Sequence, residues 1–194
     1  IFQLGGLTSP LFGHIGDMVQ KKTYKGRAIL TSCVVFAIIP FYIAMFIVPM
    51  YGLKLPQNNY PLIILMTLLK GIVTNPWICI IFTLSFFASA LQSANTPNWL
   101  ALITDVNLPE HRGTAFSIAN LANGLGRTIG NAGIGILLSA VSVNIREPQN
   151  YIITLSLFQL FLIPSALAYI KMAKNNAKDI NEVKNILHKR AKLS

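Results

Sequence analysis

Charged residues are scarce in this sequence of 194 residues, and acidic ones are scarcest. Only 11% of the residues are charged, with 16 Lys and Arg against 6 Asp and Glu, whereas an average soluble domain has about 25% charged residues. Hydrophobic residues make up 53% of the chain. This composition argues against a disordered chain, a coiled coil and an ordinary cytosolic enzyme.

Residues that perform catalysis are also few. The three histidines, His14, His111 and His188, lie far apart and show no metal-ligand spacing. No nucleophile elbow or phosphate-binding loop is present. Cys33 and Cys79 fall within apolar runs, where a thiol packs as a small residue and does not indicate the redox compartment. The sequence therefore predicts that the protein is not an enzyme, with no catalytic residue, metal or cofactor.

Long runs without charge dominate what remains. A hydrocarbon core about 30 Å thick needs about 20 apolar residues in a helix, and its lack of water forbids unpaired backbone groups. The runs therefore predict an all-α, polytopic transmembrane helix bundle, whose partner is the lipid bilayer itself. The predicted spans are 1–17 (partial), 28–50, 76–104, 113–141 and 151–170, with an outer or interfacial piece at 62–74 and a basic tail at 171–194.

The basic residues are confined to short segments between these runs, although the net charge is +10. That is a membrane pattern, so we expect no nucleic-acid partner. Segment 18–27 and the tail are strongly basic, whereas 54–61 and 144–149 are not. By the positive-inside rule, this predicts a multi-pass protein of the cell membrane with its tail in the cytoplasm. This alternation of basic and non-basic segments requires residues 62–106 to cross the membrane once. Two short spans in that stretch are the alternative, which the distribution of basic residues disfavours.

Two predicted spans carry a polar face, because polar residues recur at helical spacing within them. Polar groups inside a bilayer need a partner or water, so both faces are expected to meet other polar groups or a water-filled cavity. The candidate substrate-cavity residues are Ser89, Gln92 and Asn95 in one span and Asn120, Asn123, Arg127 and Asn131 in the next.

Arg127 falls near mid-bilayer, where a charge costs about 3 kcal/mol on insertion scales. One interpretation is an anchor for an anionic group on a small-molecule substrate. The other is a structural arginine paired with a helix end or with a carboxylate elsewhere in the protein. The same helix carries Gly126, Gly130 and Gly133 on a second face, which predicts close helix packing and also suits helices that slide.

Residues 13–22 read Gly-His-Ile-Gly-Asp-Met-Val-Gln-Lys-Lys, in which small residues and an Asp close one helix and a basic pair follows. This resembles the loop motif of the major facilitator superfamily. An Asp at a helix end can interact with the positive N-terminus of another helix and form a contact that holds the two helices together and can open. The alternative is that the basic residues only keep this loop on the cytoplasmic side. The candidate gating residues here are Gly13, Gly16, Asp17, Lys21, Lys22 and Arg27.

A second motif starts at Asn98-Trp99 and continues from Asp105 to Ser117 and on to Gly130. It resembles the cytoplasmic turn between the tenth and eleventh helices of the same superfamily, in its spinster-like and related prokaryotic branches. Glu110 and Arg112 are expected to hold this turn at the membrane interface.

The resemblance covers residues 13–170 and implies most of the second half of a twelve-helix transporter, about helices 8 to 12. We therefore expect a fragment whose partner is the missing N-terminal half of the same protein. The implied function is secondary active transport of a small solute by alternating access. A first half of such a protein, and a non-transporting membrane sensor or assembly protein of this fold, are the alternatives. Apolar residues at helical spacing in the tail suit either a basic amphipathic helix on an anionic leaflet or a plain solvated tail.

Overall fold

The computed structural model describes residues 4–49, 51 and 60–192. Helices make up 89% of the described residues, which contain no strand, so the predicted all-α class is confirmed. Most of the predicted outer segment 54–61 lies outside the described residues. The helices are α1 (Ser9–Lys22), α2 (Gly26–Ile47), α3 (Pro61–Thr74), α4 (Pro76–Asp105), α5 (Arg112–Ser142), α6 (Gln149–Gln159) and α7 (Leu162–Ala191), with 3-10 turns at Leu4–Thr8 and Pro109–His111.

Three helical segments of the described chain are long and apolar enough to cross a membrane. They are α2, α4 and the segment Gln149–Ala191 that α6 and α7 form together. α3 is apolar but has only 14 residues, fewer than the roughly 20 that a span needs. α5 has 31 residues, yet it is not among the three, since Arg127 and its asparagines make it more polar.

Asn75 and Pro76 set the boundary between α3 and α4. α3 ends at Thr74 and α4 begins at Pro76. Between them the Asn75 side chain accepts a hydrogen bond of 2.9 Å from the backbone N–H of Trp77, which satisfies one of the free donors at the start of α4. Pro76 suits the first helical position because it has no N–H to satisfy there.

α1 differs from the predicted span 1–17. It begins at Ser9, after a 3-10 turn, and continues to Lys22. Its last turn therefore contains Lys21 and Lys22, whose positive charges are favourable at the negative end of a helix. As a result only residues 23–25 connect α1 to α2.

The C-terminal region also differs from the prediction, which placed a boundary between a span ending at 170 and a separate tail. α7 is one unbroken helix from Leu162 to Ala191, and the break lies earlier, at Leu160 and Phe161. Pro164 explains this position, since its ring excludes the hydrogen bond to the carbonyl of Leu160 four residues before it. Nothing between 165 and 191 interrupts a helix, because a change from apolar to charged residues is not a helix break.

α2 lies at the centre of the bundle, between α4 and α7. One core cluster joins Val34 and Ile38 of α2 to Ala94 of α4. A second cluster joins Ala28, Leu102 and Ala173, from α2, α4 and α7 respectively. α5 lies outside this core and contains no buried residue.

Candidate functional site

Arg27 is the second residue of α2, and its guanidinium is the buried charge at the centre of the site. The side chain is only 7% exposed. Nη2 forms an ion pair with Oδ1 of Asp17 on α1, and Nη1 lies 2.7 Å from Oδ2 of Asp105 at the end of α4. A planar guanidinium with several donors can serve two carboxylates at once, so one side chain connects three helices.

Gln20 completes this arrangement on the α1 side. Its Nε2 donates to Oδ2 of Asp105 at 3.3 Å, and its Oε1 accepts from the backbone N–H of Arg27 at 3.2 Å. The sequence had suggested that Asp17 meets the N-terminus of another helix. Instead, Asp17 binds the Arg27 side chain, and Gln20 caps the backbone at the start of α2.

Gly16 allows α1 to approach α4 directly beneath this ion pair. A Cβ at Gly16 would collide with Oδ1 of Asn98, whose side chain is buried. Asn98 donates from Nδ2 to the carbonyls of Ala94 at 2.8 Å and Phe12 at 3.3 Å. Its Oδ1 and the Nε of Arg27 are both buried without a hydrogen-bond partner among the described residues.

We refer to Gly16, Asp17, Gln20, Arg27, Asn98 and Asp105 together as the Arg27 cluster. The cluster borders an open cleft of about 330 Å³. The Asp17 side chain is 60% exposed and that of Asp105 is 32% exposed, whereas the guanidinium between them is buried. Water therefore reaches the carboxylates, so these ion pairs can exchange for hydration when the helices separate. The cleft is lined by His14, Asp17, Met18, Gln20, Lys21, Tyr24, Arg27, Asp105 and Lys184.

The other predicted gating residues surround the cluster without joining it. Gly13 faces Pro97 of α4 at ordinary van der Waals distance. Lys21 lines the cleft, and Lys22 is exposed at the end of α1. Two further predicted residues lie in the turn before α5. Arg112 donates from Nε to the carbonyl of Asn107 at 3.3 Å, and Glu110 pairs with Arg190 of α7 at 2.6 Å.

The pKa of Glu110 is lowered from its ordinary value. A hydrogen bond from its own backbone N–H is the largest cause, followed by the hydrogen bond from Arg190; the positive charges of Arg190 and His111 add to them. These interactions favour the carboxylate over the neutral acid and outweigh desolvation, which acts in the opposite direction.

The polar residues of α5 stand apart from the cluster. Asn120, Asn123, Arg127 and Asn131 are all exposed. In the part of the chain that the structure describes, the Arg127 side chain makes no hydrogen bond or ion pair. Among the three glycines that the sequence predicted to pack, only Gly130 lies near another helix, opposite Phe158 of α6, while Gly126 and Gly133 face open space.

The predicted polar residues of α4 have three different environments. Ser89 is buried against Gly5 in the N-terminal 3-10 turn. Gln92 accepts a hydrogen bond of 2.5 Å from Tyr42 of α2. Asn95 accepts one of 3.5 Å from Tyr169 of α7. Within the described residues, these side chains do not meet the polar face of α5.

Sequence reasoning did not select Asp105, Gln20 or Asn98 as site residues. Asp105 and Asn98 lie in the second motif, and Gln20 occupies a position where the resembled motif has Gly. A signal for Asp105 was available, because the chain has only six carboxylates and a buried arginine needs at least one. No group of three or more His, Cys, Asp or Glu in the described ranges could hold a metal ion.

Comparisons with known proteins add no relative to this description. No protein-family model, curated protein or solved structure matches the chain.

Proposed function

We propose that this chain forms most of one helix bundle of a secondary active transporter, which moves a small solute by alternating access. The proposed fold is that of the major facilitator superfamily, at about helices 8 to 12. The observation that carries the proposal is the Arg27 cluster, in which one buried cation holds three helices together at one end of the bundle.

A cluster of this kind suits a gate better than a static core contact. A purely structural site is served as well or better by apolar residues, because a buried ion pair must offset the cost of removing its charges from water. Here both carboxylates remain partly exposed, which lowers the cost of separating them from Arg27. The ion pairs therefore favour the closed arrangement without making it permanent.

The membrane orientation belongs to the same proposal. We call the end of the bundle that carries Arg27, Tyr24 and the 3-10 turn Pro109–His111 the Arg27 end. The loop beside it and the C-terminal half of α7 are rich in Lys and Arg. By the positive-inside rule, the Arg27 end faces the cytoplasm of a cell membrane, and the cluster closes the cytoplasmic side.

The polar face of α5 is the proposed wall of the solute pathway. An exposed arginine flanked by asparagines on a long helix cannot face hydrocarbon without a large cost, so it faces water, a solute or another bundle. A guanidinium with free donors selects carboxylate or phosphate groups. We therefore assign an anionic group to the solute.

The gate is tested by changing Asp105 to Asn in the full-length protein, reconstituted in liposomes and supplied with a panel of labelled organic anions. The neutral amide keeps the shape of the side chain but removes one charge that Arg27 needs. We expect the initial uptake rate to fall roughly tenfold, since the closed state loses a partly buried ion pair.

Asp179→Asn is the matched control, because Asp179 lies exposed on α7 and its side chain has no ion pair among the described residues. Equal uptake by both variants and the parent would remove the gating role of the cluster. Absence of saturable uptake by the parent, for every solute tried, would favour a non-transporting membrane sensor or assembly protein.

A further inference from the structure

The basic half of α7, residues 171–191, is attached to the Arg27 end of the bundle. Sequence reasoning allowed a helix lying on the lipid surface or a solvated tail; in the structure this half is helical and packs one side against the bundle. Ile180, on the apolar side of this half, is only 3% exposed. Ala173, near the start of this half, packs against Ala28 of α2 and Leu102 of α4.

The first attachment is to the loop between α1 and α2. Asn176 is 1% exposed and donates from Nδ2 to the carbonyl of Tyr24 at 2.8 Å. Two turns later, Lys184 donates from Nζ to the hydroxyl of Tyr24 at 2.8 Å, and the same ammonium lies 4.4 Å from the centre of the ring. Tyr24 thus binds α7 through its backbone, its hydroxyl and its aromatic face.

The second attachment is to the turn between α4 and α5. Nη1 of Arg190 lies 2.6 Å from Oε1 of Glu110. The two attachments join segments that immediately follow α1 and α4, the helices that supply Asp17 and Asp105. Lys184 also lines the cleft beside the cluster.

We propose that residues 171–191 are an autoinhibitory strap, which ties the α1–α2 loop to the α4–α5 turn and so keeps the Arg27 cluster closed. Release of the strap is the regulatory step that permits opening at this end. The regulation rests on the proposed transport function, whereas the mechanical role of the strap does not.

The test measures the distance between the two tied segments with spin labels, using full-length protein in phosphatidylcholine vesicles. Cys33 and Cys79 are replaced by Ser, and labels are attached at Thr23→Cys and His111→Cys. The side chains of Thr23 and His111 are exposed and take no part in the attachments. The release variant is Lys184→Ala with Arg190→Ala.

The control variant is Lys178→Ala with Lys189→Ala, which removes the same charge from exposed positions of the same helix. We expect one narrow distance in the parent and the control. In the release variant we expect a broader distribution with a longer component, because exposed ionic contacts are individually weak. We also expect an uptake rate about threefold higher, because the Arg27 ion pairs remain and still form the closed state, whereas opening no longer has to break the strap.

An unchanged distance distribution in the release variant would overturn the strap. A broader distribution without faster uptake, in a parent that does transport, would overturn its regulatory role. If the parent transports nothing, the proposed function fails and the distances alone decide whether the strap holds the two segments together. Circular dichroism checks that all variants fold.

Discussion

Gly16 shows how strongly a single position determines this site. The absence of a side chain there lets α1 lie against Asn98, directly beside the Arg27 guanidinium. Gly13, one turn earlier on α1, faces Pro97 with ordinary spacing. The two glycines therefore have similar sequence surroundings but different physical roles.

We predict that Gly16→Ala destabilises the protein by about 1 to 3 kcal/mol, because the added methyl group must displace Asn98 or move α1. Gly13→Ala is the control, and it is expected to be neutral or stabilising by up to about 1 kcal/mol, since Ala is the better helix former. The measurement is the thermal unfolding temperature of purified protein in detergent. Equal shifts for the two variants would contradict the close approach of α1 and α4.

At the scale of helices, the sequence determined where most elements begin and end. Long apolar runs, with proline or glycine near at least one end, located α2, α3, α4 and α5 to within about three residues, because proline in particular limits helices for steric reasons. The continuity of α7 was not predictable from hydropathy, since a helix crosses from an apolar to a charged environment without a change in its backbone.

The residues that bind Arg27 were harder to predict from the sequence than the positions of the helices. Asp105 lies 78 residues further along the chain, so no local spacing connects the two. The basic loop motif directed attention to Asp17 and Arg27, which form an ion pair in the structure. Which carboxylates reach the guanidinium depends on how α1, α2 and α4 pack, and a single sequence does not encode that packing in any local pattern.

α5 carries the testable prediction at this scale. We expect Arg127→Ala to reduce uptake of an anionic solute by at least tenfold, because the helix offers no other cation near mid-length to bind it. Arg146→Ala, which removes the same side chain from the loop after α5, is the control and should transport normally. The measurement is the concentration dependence of uptake in liposomes. Normal uptake by the Arg127 variant would leave this arginine a structural role only.

For the molecule as a whole, the contact between Glu110 and Arg190 makes the strap sensitive to acid. The pKa of Glu110 in the folded protein lies below its ordinary value of 4.5. A carboxylate with a lowered pKa contributes stability above the unfolded pKa and loses it as the pH falls through the folded one. The contact is therefore complete at neutral pH and is lost only below about 4.5.

We expect the spin-label distance between positions 23 and 111 to remain constant from pH 8 to pH 5 and to broaden only at lower pH, as Glu110 becomes protonated. The same titration of a Glu110→Gln variant isolates the contribution of this contact, since that variant should already be broader at pH 7. Broadening of the parent distribution between pH 8 and pH 5 would contradict this assignment.

The unbroken backbone of α7 makes its two halves a single lever. Thirty helical residues extend about 45 Å, so a tilt of about 10° around the middle moves each end by about 4 Å. A displacement of that size is larger than the 2.6 Å between Nη1 of Arg190 and Oε1 of Glu110, so it is enough to separate the two groups. A change in bilayer thickness that tilts the apolar half would thus pull directly on the Arg27 end, and lipid composition would act as a mechanical input to the proposed gate.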